Sequence, residues 1–204
     1  MGETTILMRP IAILIAGVLL ADFLSGLAHW IEDGYFSPTT PLLGRTIAKN
    51  VQHHLHPALF VANPWFVTIR SSLVCAVFVG MPLAAMGKLG WWSGLGLAMA
   101  VFANQVHKWA HMPSASVPRV VQRLHRLGVL QSPEHHALHH AGGKDSRYCV
   151  VTNVVNPVLD ALNFWRFLEW VVYNMAGYER RPDLSVQPAN NRLKLTARGR
   201  PAAD

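Results

Sequence analysis

Four histidines stand within six residues of this chain: His135, His136, His139 and His140, in the stretch Gln131-Ser-Pro-Glu-His-His-Ala-Leu-His-His140. On a helix, at 100° per residue, their side chains fall within an arc of roughly 140°. Neutral imidazole is the commonest metal ligand, and an i, i+4 pair presents two rings to one ion. Core packing gives no reason for four imidazoles on one face. More histidines come in similar doublets. His53 and His54 lie in Asn50-Val-Gln-His-His-Leu-His-Pro57, and His107 and His111 lie at i, i+4 in Asn104-Gln-Val-His-Lys-Trp-Ala-His111. His29 stands near the end of the first apolar stretch. One zinc ion needs only three or four ligands, so nine matched histidines suit two metals of higher coordination number. Cys75 and Cys149 form no CxxC pair, which argues against both a zinc-thiolate site and a disulfide framework. All-imidazole ligation suits Fe, Zn, Cu or Ni.

Two polar residues share faces with these ligands. Asp22, Gly26, His29 and Asp33 follow one another at spacings of four, three and four, on one side of a helix. A carboxylate inside an apolar span is expensive and by default functional, so Asp22 is expected to hold the far nitrogen of a ligating histidine. Asn104 precedes His107 by three and shares its face. His56 stands beside Pro57, where a helix is expected to end.

The elements that position these groups are apolar. The chain has 204 residues, of which 51% are hydrophobic and only 14% charged. Soluble domains carry about a quarter charged residues. The apolar residues fall in long runs, expected to form spans over 6–31, 65–86 and 91–111, with a tight turn at Lys88-Leu89-Gly90. The first span is too long for a signal peptide and carries Asp22 and His29. Gly94 and Gly96 are expected to let the third span approach a neighbour. A last apolar stretch, 150–175, is interrupted by Asn153, Asn156, Asp160 and Asn163. It reads as a re-entrant or interfacial amphipathic helix with this stripe toward the metals, or as a fourth span.

With this topology every histidine doublet emerges on one side of the membrane. Arg45, Lys49, Arg119, Arg123, Arg126, Lys144 and Arg147 lie on that side and place it in the cytoplasm. The net charge of +7 is thus read as positive-inside bias and anionic-lipid contact. The basic residues lack the interleaved aromatics of a nucleic-acid surface. The expected fold is an all-α integral membrane protein, with three to four transmembrane helices and a cytosolic histidine-rich di-metal cap. Residues 1–177 form the membrane-embedded domain and 178–204 a basic, disordered tail.

Taken together, Asp22-Phe-Leu-Ser-Gly-Leu-Ala-His-Trp30 with Asp33, Gln52-His-His54, Asn104 to His111, and His135-His-Ala-Leu-His-His140 with Tyr148-Cys149 resemble the lipid desaturase domain family. That family includes plasmanylethanolamine desaturases and the plastid desaturase that puts a trans-3 double bond into the palmitoyl chain of phosphatidylglycerol. The resemblance covers about residues 12 to 163. It implies a membrane oxidoreductase that removes two hydrogens from a lipid chain next to the headgroup, with two Fe ions and O2. It places the metal ligands on His29, His53, His54, His107, His111, His135, His136, His139 and His140, and in this reading Asp22 and Asn104 orient them. The chain has no Gly-rich dinucleotide fingerprint, so electrons come from a separate donor of cytochrome b5 or ferredoxin type. The favoured substrate is an alkyl-ether (plasmanyl) phospholipid. An acyl lipid of phosphatidylglycerol type, or hydroxylation of a lipid chain, is the alternative. A metal transporter would need polar groups through the bilayer, and the second span has only Thr68, Arg70, Ser71 and Ser72 near one end. A haem carrier would need histidines facing each other at two depths.

Overall fold

The computed structural model describes residues 2–141 and 145–183, and among these it is all helical. The first element, α1, spans Gly2–Gly34, and its segment Pro10–Gly34 is long and apolar enough to cross a bilayer. At 1.5 Å per residue these 25 residues reach about 37 Å, past a hydrocarbon core of about 30 Å. α2 (Gly44–Leu55) and α3 (Pro57–Val61) follow, separated by His56 because Pro57 starts a new helix rather than continuing the old one. α4 (Trp65–Ala85) is the second helix long and apolar enough to cross. After a turn at Gly87, α5 (Trp91–Ala110) runs back along α4 and also packs on α1. Exposed Ile11, Leu14, Ile15, Leu20 and Leu24 on α1, and Phe66, Val74, Val77, Phe78 and Met81 on α4, are the surfaces such helices turn to lipid.

α5 itself is less apolar, because its second half carries Asn104, Gln105, His107 and Lys108. The close approach between α4 and α5 is made at Gly80, where an added Cβ would lie 3.2 Å from Leu97. The sequence points to Gly94 and Gly96 for this role, yet a Cβ at either would meet nothing within 4 Å.

α6 (Arg119–Arg126) and α7 (Pro133–His140) form the cap. α7 starts as its sequence dictates: Ser132 caps it by accepting from the backbone N–H of His135, and Pro133 occupies the first turn. The 150–175 stretch is not one helix. It divides into an irregular segment, then α8 (Val155–Ala161) and α9 (Phe164–Ala176), broken at Asn163 with φ +50°. α9, at 13 residues, is about 20 Å long, short of a bilayer core. The polar stripe is therefore dispersed. Asn153 lies before α8 and accepts from the Ser132 N–H, and Asp160 pairs with Arg147 at 3.4 Å.

The irregular segment 148–152 is buried, which obliges its backbone polar groups to find partners inside the protein. All but one are side chains, the exception being the Gln131 backbone N–H that donates to the Val151 carbonyl at 2.8 Å. Val151 N–H and Thr152 N–H donate to Asp22 at 2.7 and 3.0 Å, and the Thr152 hydroxyl donates to Asp22 at 2.6 Å. Val150 N–H donates to Ser25. Asn156 closes both backbone groups of Cys149, whose carbonyl also accepts from Gln131. The segment can come this close because position 26 is glycine: a Cβ there would sit 2.5 Å from Cys149 Sγ. Asp22 thus serves a different partner from the histidine expected of it. Its oxygens tie the 150–152 backbone to α1.

After α9 the chain returns to the end of α1, where Arg181 donates to the carbonyls of Glu32, Gly34 and Phe36. Residues 184–204 of the basic tail lie outside the described residues.

Asp22→Ala leaves three buried donors without an acceptor, at a cost of roughly 1–3 kcal/mol each. The expected result is a clearly lowered thermal midpoint of the detergent-solubilised protein. An unchanged midpoint would contradict this role for Asp22.

Candidate metal centre

Eight of the nine expected histidines converge around the last turns of α1. His29 comes from α1, His53 and His54 from α2, His107 and His111 from the end of α5, and His136, His139 and His140 from α7. They form two clusters in which one candidate ligand atom of each residue lies within 4.8 Å of all the others. The first contains His53, His107, His111, His136 and His140; the second contains His29, Asp33, His54 and His139. The two are adjacent, with His53 and His54 rings 5.4 Å apart and His54 and His140 rings 4.9 Å apart.

The first cluster is a knot of nitrogens. His136 Nε2 lies 2.9 Å from His107 Nε2, 2.8 Å from His111 Nε2 and 3.0 Å from His140 Nε2. One N–H can serve only one of these contacts, and lone pairs at this range repel. Ligands about 2.1 Å from an ion lie about 3.0 Å apart at right angles and about 3.4 Å apart in a tetrahedron. The observed separations match that spacing. Both ring nitrogens of His53 are buried and make no hydrogen bond. Phe60 of α3 closes this side, with its ring 4.8 Å from that of His53 and 5.1 Å from that of His107.

In the second cluster the tautomers can be assigned from the partners. A carbonyl oxygen only accepts, so His29 Nδ1 carries the proton it gives to Tyr148 O at 3.1 Å, and His139 Nδ1 the one it gives to Ser146 O at 2.7 Å. In neutral rings both Nε2 atoms are then bare lone pairs. They point at the same carboxylate oxygen, Asp33 Oδ2, each at 3.5 Å. That oxygen accepts no hydrogen bond and is buried. Two lone-pair nitrogens and an anionic oxygen meeting away from water require a cation among them. A backbone carbonyl holding Nδ1 is the usual support of an imidazole whose Nε2 binds metal. The residues present therefore fit a metal ion in each cluster.

Asp33 had been visible in the sequence as a member of the Asp22–His29 face, but not as a ligand. Its signal was the i, i+4 spacing from His29 in a helix that outruns the bilayer. His135 lies outside both clusters. Its Nε2 is 3.4 Å from the amide nitrogen of Asn156, because the position one residue before His136 faces α8 rather than α5. Asn104 donates to Ser71 of α4 at 3.3 Å and not to a histidine, since its side chain points to the α4–α5 seam.

Outside the spans, burial and neighbouring imidazoles hold His53, His136 and His140 well below the ordinary histidine range. The fold therefore keeps these rings neutral, whereas the unfolded chain protonates them near their usual value of about 6.5. As pH falls below that value the unfolded chain takes up the additional protons and the fold loses stability. Metal affinity falls in the same direction, because protonated imidazole cannot bind. Thermal midpoint and bound metal should both decline between pH 7 and pH 5. Constancy of both across that range would count against neutral, converging rings.

Residues 18–183 match the lipid desaturase domain family. A probable fatty acid desaturase of Acanthamoeba polyphaga mimivirus is 33% identical over 175 residues, covering 82% of this chain and 84% of the relative. Plasmanylethanolamine desaturase 1 of Mus musculus is 28% identical over 189 residues, covering 85% and 69%. The chloroplastic fatty acid desaturase 4 of Arabidopsis thaliana is 31% identical over 169 residues, which is 81% of this chain and 52% of that protein. No solved structure matches. Matched over most of its length, and with its histidines gathered at the end of apolar helices, the chain is a member of the lipid desaturase domain family and, with it, an oxidoreductase acting on membrane lipid.

Proposed function

We propose that this protein is a di-iron, O2-dependent membrane desaturase that introduces a double bond near the headgroup of an alkyl-ether (plasmanyl) phospholipid. One observation carries the reading: two adjacent clusters of buried and half-buried candidate ligands stand where two apolar helices end. His53, His107, His111, His136 and His140 would hold one iron, and His29, Asp33, His54 and His139 the other. All-nitrogen and nitrogen–carboxylate ligation with no thiolate suits iron. The bound pair would supply O2 chemistry: the lipid CH2–CH2 unit would give up two hydrogen atoms, that is two protons and two electrons, and two more electrons from the donor with two more protons would complete the reduction of O2 to two waters.

The protein's own residues prepare that reaction. The carbonyls of Tyr148 and Ser146 fix the rings of His29 and His139. Phe60, against His53 and His107, offers an apolar wall for the chain and keeps water away. In this reading α1, α4 and α5 cross the membrane, α8 and α9 lie at its surface, and the histidine face is cytoplasmic. Arg45, Lys49, Arg119, Arg123 and Arg126 on that side support the orientation. Electrons arrive from a separate carrier of cytochrome b5 or ferredoxin type.

An acyl lipid is the second reading. The mimivirus and Arabidopsis relatives are named fatty acid desaturases, at 33% and 31% identity, against 28% for the mouse plasmanylethanolamine enzyme. Lipid mass spectrometry of a host fed alkyl-ether lipid separates the two. The expected product has lost two hydrogens and carries an acid-labile vinyl ether; loss confined to acyl chains moves the assignment to the second reading. His136→Ala should abolish the product, and His135→Ala should retain activity within about tenfold. Equal loss in both variants would contradict the division between the clusters and His135.

A further inference from the structure

Asp33 meets a hydrogen-bond donor besides its histidines. Asn50, on α2, donates its side-chain N–H to Asp33 Oδ1 at 2.6 Å. Asn50 stands one helical turn before His54, so both project from the same face of α2 toward the end of α1. His54 Nε2 lies 3.3 Å from the same Oδ1. The other oxygen, Oδ2, is the one that accepts no hydrogen bond and faces His29 and His139. A free carboxylate can rotate and offer an ion either oxygen or both. With Oδ1 engaged by the amide, rotation is blocked and Oδ2 is presented to the bare nitrogens.

The consequence reaches beyond geometry. The first cluster is made of neutral rings only, whereas the second includes one anionic ligand. The difference between the clusters rests on the orientation of a single carboxylate. We propose that Asn50 is the positioning residue for the second metal. By holding Asp33 Oδ1 it directs Oδ2 to the ion, and so sets the affinity of the second cluster without touching the first. The amide is well suited to this: it donates to the carboxylate without adding charge, and it cannot ionise.

The inference rests on the reading of both clusters as metal sites. The experiment is a titration of metal-stripped, detergent-solubilised protein with Co2+, followed by metal analysis and by the visible d–d bands. Wild type is expected to take two equivalents per chain with distinguishable spectra. Asn50→Leu keeps the side-chain size and removes the donor. It should bind the first equivalent with unchanged spectrum and affinity, and the second at least tenfold more weakly. Helical content and thermal midpoint of the metal-free variant report folding, and Asn50→Ala is read in its place if the leucine variant does not fold. Two equivalents bound with wild-type affinity and spectra in the folded variant overturn the role of Asn50 and leave the metal clusters standing. Parallel weakening of both equivalents also overturns it, because the effect would then be general. A wild-type protein that binds no Co2+ sinks the metal reading, and this inference with it.

Discussion

The structure depends on a concentration of electron-rich atoms that is largely withdrawn from water. His29 and His139 turn bare nitrogens to one oxygen of Asp33, and four more imidazoles crowd Nε2 against Nε2 at about the spacing of ligands on an ion. Without a cation this arrangement repels itself and leaves buried acceptors unsatisfied. Everything around it serves to hold these groups in place. The rings come from four helices, and the two supporting carbonyls come from the segment around 146–148.

α1 is the common frame. One face of it carries, in order, the tether Asp22, the clearance at Gly26, and the proposed ligands His29 and Asp33. The tether and the clearance bring the 148–152 segment down onto the helix, and that segment delivers Tyr148 O to His29. Tyr148 is itself fully buried, with its ring packed on His139 and Trp165 and its hydroxyl accepting from Arg180. Irregular backbone survives here because side chains satisfy it, which is the condition for non-helical chain at this depth. Substitutions at Asp22 or Gly26, neither of which offers an atom to the clusters, thus reach the histidines through the carbonyl that fixes His29.

Much of this was legible in the sequence because it is written in helical period. Long apolar runs gave α1, α4 and α5, Pro57 marked the break after α2, and the histidine doublets at i, i+1 and i, i+4 pointed to one shared site. The illegible parts depend on long-range contacts. Asp22 looked like a partner for histidine because it shares a face with His29, yet its partners lie about 130 residues away in an irregular segment with no periodicity. His135 looked equivalent to its neighbour His136, but a helix rotates consecutive residues by 100°, and only the packing of α7 decides which one joins the histidine clusters. The polar stripe over 153–163 had the spacing of a helix face, and the left-handed backbone at Asn163 divides it.

X-ray absorption at the iron edge of the purified, iron-loaded protein tests the central claim most directly. The account predicts about two irons per chain, a first shell of nitrogen and oxygen at about 2.0–2.2 Å, and the outer-shell pattern of several imidazole rings. A sulfur shell at about 2.3 Å, or the signature of a haem macrocycle, would mean that the converging histidines and Asp33 are not what holds the metal.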